Sequence, residues 1–228
     1  MKATIILPAR NEEQLIISSL SEINRYLERK KYPYEILVVV NGSKDNTQLL
    51  VKEYINKTKS DNRIKLLTSK PGYGYALRKG LTNAKGDFIV VFNVDFFDLK
   101  LIDLIDIELY GRDFIIGSKR AYWSKDNRSI TRRTIAYLFN LYLKIVHGFV
   151  GSDTHGIKIL KKDVLKTVLP KCKTYTGIFD TEFVLRSQYG GYKIADFPVV
   201  LEEKRPSRFV NRLINTPVDI FKLFKALK

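Results

Sequence analysis

Two oxygen-bearing side chains, Asn93 and Asp95, follow directly after an unbroken apolar run over residues 88–92. The run is rich in β-forming residues and follows Gly86, which predicts a strand buried on both faces. Polar groups at the carboxyl end of a buried parallel strand lie where open α/β sheets bind ligands. On an extended chain the two side chains share a face, so they could hold a divalent cation and, through it, a diphosphate. The alternative, favoured by this stretch alone, is that Asn93 begins a turn and Asp95 caps the next helix.

Gly72 and Gly74 stand just before a predicted helix, where glycine could let the backbone approach a phosphate or a sugar. The pair does not match the dinucleotide fingerprint Gly-x-Gly-x-x-Gly, because Leu77 occupies the third position, and it does not match the P-loop. A simple turn explains the two glycines equally well, so both interpretations stay open.

Residue types that often perform catalysis are few. His155 has no Ser or Cys in a recognisable nucleophile context, which argues against a catalytic triad. The only two histidines, His147 and His155, argue against a clustered zinc site. The single Cys172 excludes an intrachain disulfide framework and fits a reducing compartment. Asp180 and Glu182 open a predicted helix, where the helix dipole favours acidic residues.

The composition bounds the class of protein. The chain has 228 residues, 45% of them hydrophobic, and a formal net charge of +16 at pH 7. This suits one large α/β domain, and the charge points to nucleic acid, anionic lipid or a phosphorylated small molecule, or else to a solubilising surface. The first apolar run meets Pro8 too early for a signal peptide, and no run approaches the roughly 20 residues that span a bilayer. We therefore expect a soluble or peripheral protein.

Apolar β-rich runs alternate with helical patterns through the first half, which predicts a mostly parallel, doubly wound sheet with helices on both faces. The predicted strands there are 2–7, 35–40, 63–67 and 88–92; the helices run from an Asn11 N-cap to about residue 29, from the 41–47 loop to about 55, and over 76–84. The second half is less regular, with predicted helices over 99–109, 130–146, 163–169 and 179–189, and strands over 113–117, 157–160 and 192–200.

The last 18 or so residues, 211–228, are basic and amphipathic. The apolar residues that fall largely on one helical face are Leu213, Ile214, Ile220, Phe221, Phe224 and Leu227. This pattern is typical of a helix that lies in a membrane interface, with the very apolar 130–146 helix beside it. Ordinary packing on the sheet or on a second subunit is the alternative.

The order of these segments is more specific than any one of them. A strand leads into Pro-Ala-Arg-Asn-Glu-Glu (8–13), a second into Asn-Gly-Ser-Lys-Asp-Asn-Thr (41–47), and Gly-x-Gly-x-Ala (72–76) precedes an Asp-x-Asp-like strand end (93–95). This order resembles the family-two glycosyltransferases, which have the α/β GT-A fold, so the resemblance implies a mixed, mostly parallel sheet. Later segments are similar to those of polyprenyl-phosphate glycosyltransferases, nearest to dolichyl-phosphate mannose and glucose synthases; they cover 117–119, 153–158, 179–182, 191–199 and 205–208.

The resemblance implies a GT-A domain over residues 1–210, with a nucleotide-sugar half (1–98) and an acceptor half (99–210), followed by the amphipathic tail (211–228). The residues implied to bind the donor are Pro8, Ala9, Arg10, Asn11, Glu12, Asn41, Gly72, Gly74, Asn93 and Asp95. Those implied to bind acceptor or donor phosphate are Lys119, Arg132 or Arg133, and Arg208.

The sequence departs from the family pattern in two places. Asn41 stands where the family usually has the Asp that faces the base, and Asn93-x-Asp95-x-Phe97 replaces Asp-x-Asp-x-Gln. The resemblance implies that Asn93 and Asp95 hold Mg²⁺ or Mn²⁺. Losing one carboxylate and a neighbouring amide lowers the expected affinity for that cation.

The implied reaction is inverting transfer of a hexose from a nucleotide sugar to a polyprenyl or dolichyl phosphate at the cytoplasmic face of a membrane. GDP-mannose is the favoured donor and UDP-glucose the second. A phosphate can attack the anomeric carbon directly, so the enzyme must align the substrates and stabilise the leaving diphosphate, with Asp95 as the key carboxylate. A sugar hydroxyl as acceptor would need a general base, for which Asp153 and Asp180 are the candidates.

Three other functions stay open. One is a glycosyltransferase of the same fold that acts on a sugar hydroxyl. The second is a nucleotidyltransferase, against which the missing glycine-rich pyrophosphorylase-type start argues. The third is a non-catalytic binder of nucleic acid or membrane that uses the basic surface, although nucleic acid is not expected as a partner of the favoured enzyme.

Overall fold

The computed structural model describes residues 1–58, 62–118, 125–126, 130–201 and 209–228; the side chains of 125–126, 132, 201 and 209–217 are outside the description. The first half alternates strand and helix as the sequence predicts. Its elements are β1 (Ala3–Ala9), α1 (Ile16–Glu28), β2 (Tyr34–Val40), α2 (Thr47–Thr58), β3 (Ile64–Thr68), α3 (Tyr73–Asn83) and β4 (Phe88–Val91).

The second half adds shorter strands and longer helices. Its elements are α4 (Lys100–Asp103), a 3-10 turn (Glu108–Gly111), β5 (Phe114–Ser118), β6 (Lys125–Asp126), α5 (Ile130–His147), β7 (Lys158–Lys161), α6 (Lys162–Val168), a 3-10 turn (Leu169–Lys171), α7 (Phe179–Tyr189), β8 (Ile194–Pro198), β9 (Val200–Leu201) and α8 (Phe209–Leu227).

Seven of the strands form one sheet in the order β3-β2-β1-β4-β7-β5-β8. β1 to β4 are parallel, β7 runs antiparallel to both β4 and β5, and β8 is parallel to β5. β6 and β9 form a separate two-stranded pair. The predicted mixed, mostly parallel sheet with helices on both faces is confirmed.

The central strands are apolar along their whole length because both of their faces are covered. Every residue of β1, β2 and β4 is buried. One face, with Ile5, packs against α1, α2 and α4. The other, with Ile6, packs against α3, α6 and α7 and against single residues of α5 and α8. Strands of this kind show no alternation of polar and apolar residues, which is why a continuous apolar run predicted them correctly.

The tail folds as a helix, as predicted, and one side of α8 packs on the domain. Leu223 and Ala226 are buried, and Arg186 of α7 donates a hydrogen bond to the Ala226 carbonyl at 2.6 Å. Phe221 and Phe224 remain exposed. Part of the apolar surface of α8 therefore packs on the domain, as the second alternative held, and part of it faces outward.

Two predicted helices are wrong in their bounds. α1 begins at Ile16, and Asn11 is not its N-cap, because the Asn11 side chain accepts a hydrogen bond from the Lys44 N–H at 2.9 Å. The helix predicted over 99–109 is reduced to α4, since Leu109 and Tyr110 have left-handed backbone angles (φ 59° and 51°). This turn buries Leu109 and leaves Tyr110 exposed.

A buried carboxylate joins four segments at the amino end of the sheet. Glu35 of β2 accepts hydrogen bonds from Thr4 Oγ1, Lys65 Nζ and the Lys85 N–H, each at 2.8 Å. Thr4 Oγ1 also accepts from the Gly86 N–H at 2.8 Å. Burial by itself would raise the pKa of Glu35, but the hydrogen bonds outweigh it and lower the pKa below its ordinary value of 4.5. Glu35 therefore stabilises the fold in its charged form.

We predict that Glu35→Gln lowers the free energy of unfolding by about 1–3 kcal/mol at pH 7, because a charged acceptor of three hydrogen bonds is lost. The folded-state pKa lies below the unfolded one, so the wild-type advantage is present above pH 4.5 and is lost as the pH falls through the folded value. Urea unfolding at pH 7 and near pH 3 measures both effects.

Lys65→Met is the matched control, because Lys65 is partly exposed and water replaces much of its contact. We expect it to have the smaller effect at pH 7. Equal stability of Glu35→Gln and wild type at pH 7 would contradict the assigned role of this carboxylate.

Candidate active site

The loops that follow β1, β2, β3 and β4 lie together because the carboxyl ends of parallel neighbouring strands meet at one edge of the sheet. They comprise residues 10–15, 41–46, 69–72 and 92–99. All ten residues that the resemblance assigns to the donor lie in these loops, at the strand ends or in the first turn of α3. The structure thus brings the predicted donor-binding residues to one edge.

The first two loops interlock through reciprocal hydrogen bonds. The Asn11 N–H donates to Ser43 Oγ at 3.0 Å, and the Lys44 N–H donates back to Asn11 Oδ1. The Glu12 N–H donates to Thr47 Oγ1 at 2.8 Å. Asn11 has φ 55°, a left-handed angle that this exchange stabilises. The neighbouring Arg10 side chain is exposed at the rim and remains accessible to a ligand.

Asn41 joins its own loop to the end of β1 and to the loop after β3 through its buried side chain. Its Nδ2 donates to the Ala9 carbonyl at 3.0 Å, and its Oδ1 accepts from the Gly72 N–H at 3.3 Å. The Asn41 backbone N–H also donates to the Ala9 carbonyl, at 3.0 Å. Since both polar ends of the amide are bonded within the protein, this geometry favours a bracing role for Asn41 over the predicted contact with the nucleotide base.

The glycines of this edge allow close packing between loops. A Cβ on Gly42 (φ 70°) would lie 2.6 Å from Pro71 Cγ, and one on Gly74 would lie 2.3 Å from the Thr176 carbonyl oxygen. Gly72 has φ 133°, which other residues rarely adopt. The close approach at Gly74 draws the first turn of α3 against the backbone of residues 175–176. Gly74 is therefore needed for this close packing, which a simple turn would not require.

β4 ends before Asn93 and Asp95, so these two residues are not on an extended strand and need not share a face as the sequence analysis expected. The strand ends at Val91, and Asn93 and Phe96 exchange backbone hydrogen bonds at 3.1 and 3.3 Å, which makes a four-residue turn. Asn93 therefore begins a turn, as the alternative held. The acidic residue that caps α4 is Asp98, whose Oδ1 accepts from the Lys100 N–H at 3.0 Å, and not Asp95.

Asp95 is partly buried in this turn, and its carboxylate makes no hydrogen bond or ion pair with another described residue. Among the described residues, no group of three or more His, Cys, Asp or Glu side chains is arranged to hold a metal ion. Mg²⁺ is commonly bound by one or two carboxylates with substrate phosphates and water completing its shell. The Asp95 carboxylate, which has no partner among the described residues, is the kind of ligand that such a site needs.

The two candidate general bases differ in environment. Asp153 is partly exposed, and its Oδ1 accepts a hydrogen bond from the His155 N–H at 2.9 Å. Asp180 is 2% exposed, and its Oδ1 lies 2.9 Å from Nζ of Lys158, which is 2% exposed as well. That contact has the distance of an ion pair without the orientation of a directed hydrogen bond. A carboxylate held in this way is poorly placed to take a proton from an acceptor.

The predicted phosphate-binding cations are described only in part. Arg133 is exposed in the first turn of α5. Lys119, Arg208 and the side chain of Arg132 lie outside the described residues.

Sequence reasoning assigned no role to Lys158 or Tyr73. The available signal was a lysine inside the apolar strand sequence Ile157 to Leu160, where burial requires a partner for the charge. Sequence reasoning also missed Asp196 of β8, which accepts hydrogen bonds from Ser152 Oγ at 2.6 Å and from the Ser152 N–H at 3.0 Å. Burial raises the pKa of Asp196 despite these bonds.

Comparison with solved structures identifies the class of fold. Mannosyl-3-phosphoglycerate synthase from Rubrobacter xylanophilus superposes with a TM-score of 0.69 at 20% identity, covering 96% of this chain and 72% of that one. Glucosyl-3-phosphoglycerate synthase from Mycobacterium tuberculosis, solved with Mn²⁺, UDP-glucose and phosphoglyceric acid, gives 0.66 at 19%, covering 97% and 79%. The sheet order and these likenesses make the fold GT-A.

The sequence profile of Glycosyl transferase family 2 matches residues 4–169, so the chain belongs to that family and is a glycosyltransferase. A dolichyl-phosphate beta-glucosyltransferase of Dictyostelium discoideum is 27% identical over 212 residues, covering 86% of this chain and 65% of that protein. A prophage bactoprenol glucosyl transferase homolog of Escherichia coli K12 is 28% identical over 172 residues, covering 74% and 55%. The chain therefore spans somewhat less than two thirds of the length of these two relatives.

We predict that Asn41→Asp lowers the free energy of unfolding by about 1–3 kcal/mol, because a buried carboxylate cannot donate to the Ala9 carbonyl. Thermal unfolding monitored by circular dichroism measures the loss. Asn83→Asp is the matched control, since the Asn83 amide makes the same kind of bond, to the Lys79 carbonyl, on an exposed surface. A loss no greater than that of Asn83→Asp would show that Asn41 does not brace the loops.

Proposed function

We propose that this protein transfers a hexose from a nucleotide sugar to a polyprenyl monophosphate. The observation that carries the proposal is the Asp95 carboxylate, which has no partner among the described residues and lies at the strand end where the four donor loops meet. The names of the relatives, which pair a lipid phosphate acceptor with glucose, support the choice of acceptor.

The sugar is proposed to be glucose. The mannose and GDP-mannose favoured by the sequence find no support among the dolichyl-phosphate and bactoprenol relatives, which are glucosyltransferases by name. The structural neighbours include both a protein bound to UDP-glucose and a mannosyltransferase bound to GDP-mannose, so they do not favour either base. We therefore propose UDP-glucose first and test GDP-mannose beside it.

In the proposed reaction a phosphate oxygen of the acceptor forms a bond to the anomeric carbon while the bond from that carbon to the diphosphate oxygen breaks. Attack opposite the leaving group inverts the anomeric configuration. The acceptor is already ionised near neutral pH, so no side chain has to remove a proton. The work left to the protein is alignment of two anions and stabilisation of the diphosphate as it leaves.

Asp95 and Asn93 would hold a divalent cation, Mg²⁺ or Mn²⁺, which supplies positive charge beside the leaving diphosphate. The exposed Arg10 and the excess of lysine and arginine reduce repulsion between the two anionic substrates. The alternative acceptor, a sugar hydroxyl, would require a base. The ion pair of Asp180 leaves the partly exposed Asp153 as the better placed of the two candidates for that reaction.

We further propose that α5 and α8 place the protein against a membrane at its cytoplasmic face, where the acceptor resides. α5 exposes a row of apolar side chains, among them Tyr137, Leu141 and Ile145, and α8 exposes Phe221 and Phe224. Lys144, Lys222 and Lys225 are exposed on the same two helices. No helix in the described part of the chain is long and apolar enough to cross a bilayer. Apolar residues flanked by lysines suit a helix that lies in the interface.

Asp95→Asn tests the reaction. We predict a fall in kcat/KM of about a hundredfold or more, the size seen when a group that stabilises developing charge is removed. The measurement is release of UDP or GDP from UDP-glucose and GDP-mannose with a short-chain polyprenyl phosphate, with and without Mn²⁺. Asp98→Asn is the control, since Asp98 caps α4 and should retain activity. Activity of Asp95→Asn equal to wild type would remove Asp95 from the site.

The double variant Phe221→Ser/Phe224→Ser tests the membrane proposal without disturbing the buried Leu223 and Ala226. We expect its partition into anionic liposomes to fall by about tenfold or more, because each buried aromatic side chain contributes roughly 1.5–3 kcal/mol. Sedimentation with phosphatidylglycerol vesicles at low and high salt measures it. Leu49→Ser is the control, because Leu49 is 53% exposed on α2. Equal partition of all three proteins would exclude α8 as a membrane contact.

A further inference from the structure

A network of side-chain hydrogen bonds joins three elements of the second half of the sheet, near the edge where the donor loops lie. Ser152, in the loop before β7, donates twice to Asp196 Oδ2 of β8, from its Oγ at 2.6 Å and from its N–H at 3.0 Å. The Ser118 hydroxyl, at the end of β5, lies 2.6 Å from Ser152 Oγ. We call these three residues the serine–aspartate network.

The number of hydroxyl protons sets the direction of the bonds in this network. A serine hydroxyl has one proton, and that of Ser152 is used in the bond to the Asp196 carboxylate. Ser152 Oγ must then accept at its other contact, so the Ser118 hydroxyl is the donor there. Asp196 therefore orients both serine hydroxyls, one directly and the other through Ser152.

The network fixes one end of loop 152–156, and β5 fixes the other end. Gly156 approaches β5 so closely that a Cβ there would lie 2.1 Å from the Gly117 carbonyl oxygen. The Gly117 N–H donates to the Ile157 carbonyl at 2.7 Å, directly after the loop. Three residues, 153–155, separate the two attachments. Asp153 therefore belongs to a short segment whose two ends are both attached to β5.

This loop connects the surroundings of α5 with the candidate active site. The ring of His155 lies 6.1 Å from that of Phe139 on α5. Directly beyond the loop, Lys158 pairs in the sheet with Val91, the last residue of β4. The position of loop 152–156 is thus defined relative to both the apolar helix α5 and the strand that leads to Asp95.

Stability does not account for a carboxylate at position 196. Asp196 Oδ1 is buried and makes no hydrogen bond with another described residue, which is unfavourable. Burial raises the pKa of Asp196, although the bonds from Ser152 oppose this effect; the nearby Asp153 also raises it and Lys144 lowers it. A carboxyl whose folded-state pKa is raised contributes stability at low pH and loses that contribution as the pH rises through the folded value. At neutral pH the charge of Asp196 therefore does not stabilise the fold.

We propose that Asp196 is a positioning residue for the acceptor, because its bonds to Ser152 hold loop 152–156 where the acceptor phosphate binds. This inference rests on the proposed function, in which that phosphate reaches the protein beside α5. Asp196 does not touch the reacting atoms in this assignment. It supplies an accepting oxygen in a fixed place, and its charge is not required, which distinguishes it from a general base.

Three variants and one control separate these roles. Asp196→Leu removes both bonds to Ser152, whereas Asp196→Asn keeps an accepting oxygen without the charge. Ser152→Ala removes the hydroxyl and leaves the N–H bond, so it tests the network if Asp196→Leu does not fold. Ser187→Ala is the matched control, because Ser187 is 0% exposed and its hydroxyl donates to the Phe183 carbonyl within α7.

The first readout is amide hydrogen exchange of residues 153–156 in the protein without substrate. We expect exchange there to be about tenfold faster in Asp196→Leu and Ser152→Ala, as for loss of one hydrogen bond to a charged group. Asp196→Asn and Ser187→Ala should exchange at the wild-type rate. Wild-type exchange in both Asp196→Leu and Ser152→Ala would overturn the proposal. This readout does not depend on the reaction, so it stands even if wild type transfers no sugar and the proposed function fails.

The second readout is steady-state kinetics with the active donor and a short-chain polyprenyl phosphate. We expect Asp196→Leu and Ser152→Ala to raise the KM for the polyprenyl phosphate about tenfold and to leave the KM for the nucleotide sugar near its wild-type value. Asp196→Asn should restore the acceptor KM. If Asp196 acted through its charge, Asp196→Asn would be as defective as Asp196→Leu. That result, or an equal rise in both KM values, would overturn the assignment of Asp196 as a positioning residue.

Discussion

The first turn of α7 buries three polar residues, Asp180, Thr181 and Glu182. The need to pair these groups constrains much of the second half of the chain. Glu182 accepts hydrogen bonds from the Lys173 and Thr174 N–H groups at 2.8 Å and from Arg186 Nε at 2.8 Å. Arg186 in turn donates to the last turn of α8. Thr181 Oγ1 lies 2.9 Å from Thr154 Oγ1 in the loop before β7. The first turn of α7 thus connects β7, through Lys158, with the loop of Asp153, with residues 173–174 and, through Arg186, with the tail helix.

These connections explain why the second half of the chain can lie so close to the start of α3. Without a side chain at Gly74, the backbone of residues 175–176 contacts the start of α3, and Glu182 holds residues 173–174 beside it. Burial alone would raise the pKa of Glu182, but its hydrogen bonds lower it, so the charged form supports this contact. The contribution is present above its ordinary value of 4.5 and is lost as the pH falls through the folded-state value.

The elements that the sequence predicted well are those determined by burial along the chain. The runs over 35–40 and 88–92 are apolar because β2 and β4 are covered on both faces, and local composition records that directly. The helix predicted over 99–109 is wrong, but the apolar residues on which the prediction rested are all buried: Leu101, Ile102, Ile105 and Leu109. Periodicity reports burial, and it does not report the left-handed turn at 108–110 that replaces a helix there.

The candidate site was predictable in its residues and less so in their roles. Loop order placed the donor residues at one edge, since topology determines where strand ends meet. Asn41 and Asp180 were interpreted from their local neighbours, yet their partners Gly72 and Lys158 lie in other elements, and only the tertiary structure brings them together. A buried amide or carboxylate satisfied by distant backbone has no local sequence signal.

The site and the proposed membrane surface meet at one loop. His155 follows Thr154, which contacts the first turn of α7, and its ring lies 6.1 Å from that of Phe139 on α5. Burial raises the pKa of Asp219 on α8, and the nearby Lys222 and His155 offset part of that rise. Both helices with exposed apolar side chains therefore border the loop of Asp153. In the proposed function, an acceptor phosphate entering beside α5 and α8 would reach a segment that is tied through Thr154 and Thr181 to the first turn of α7.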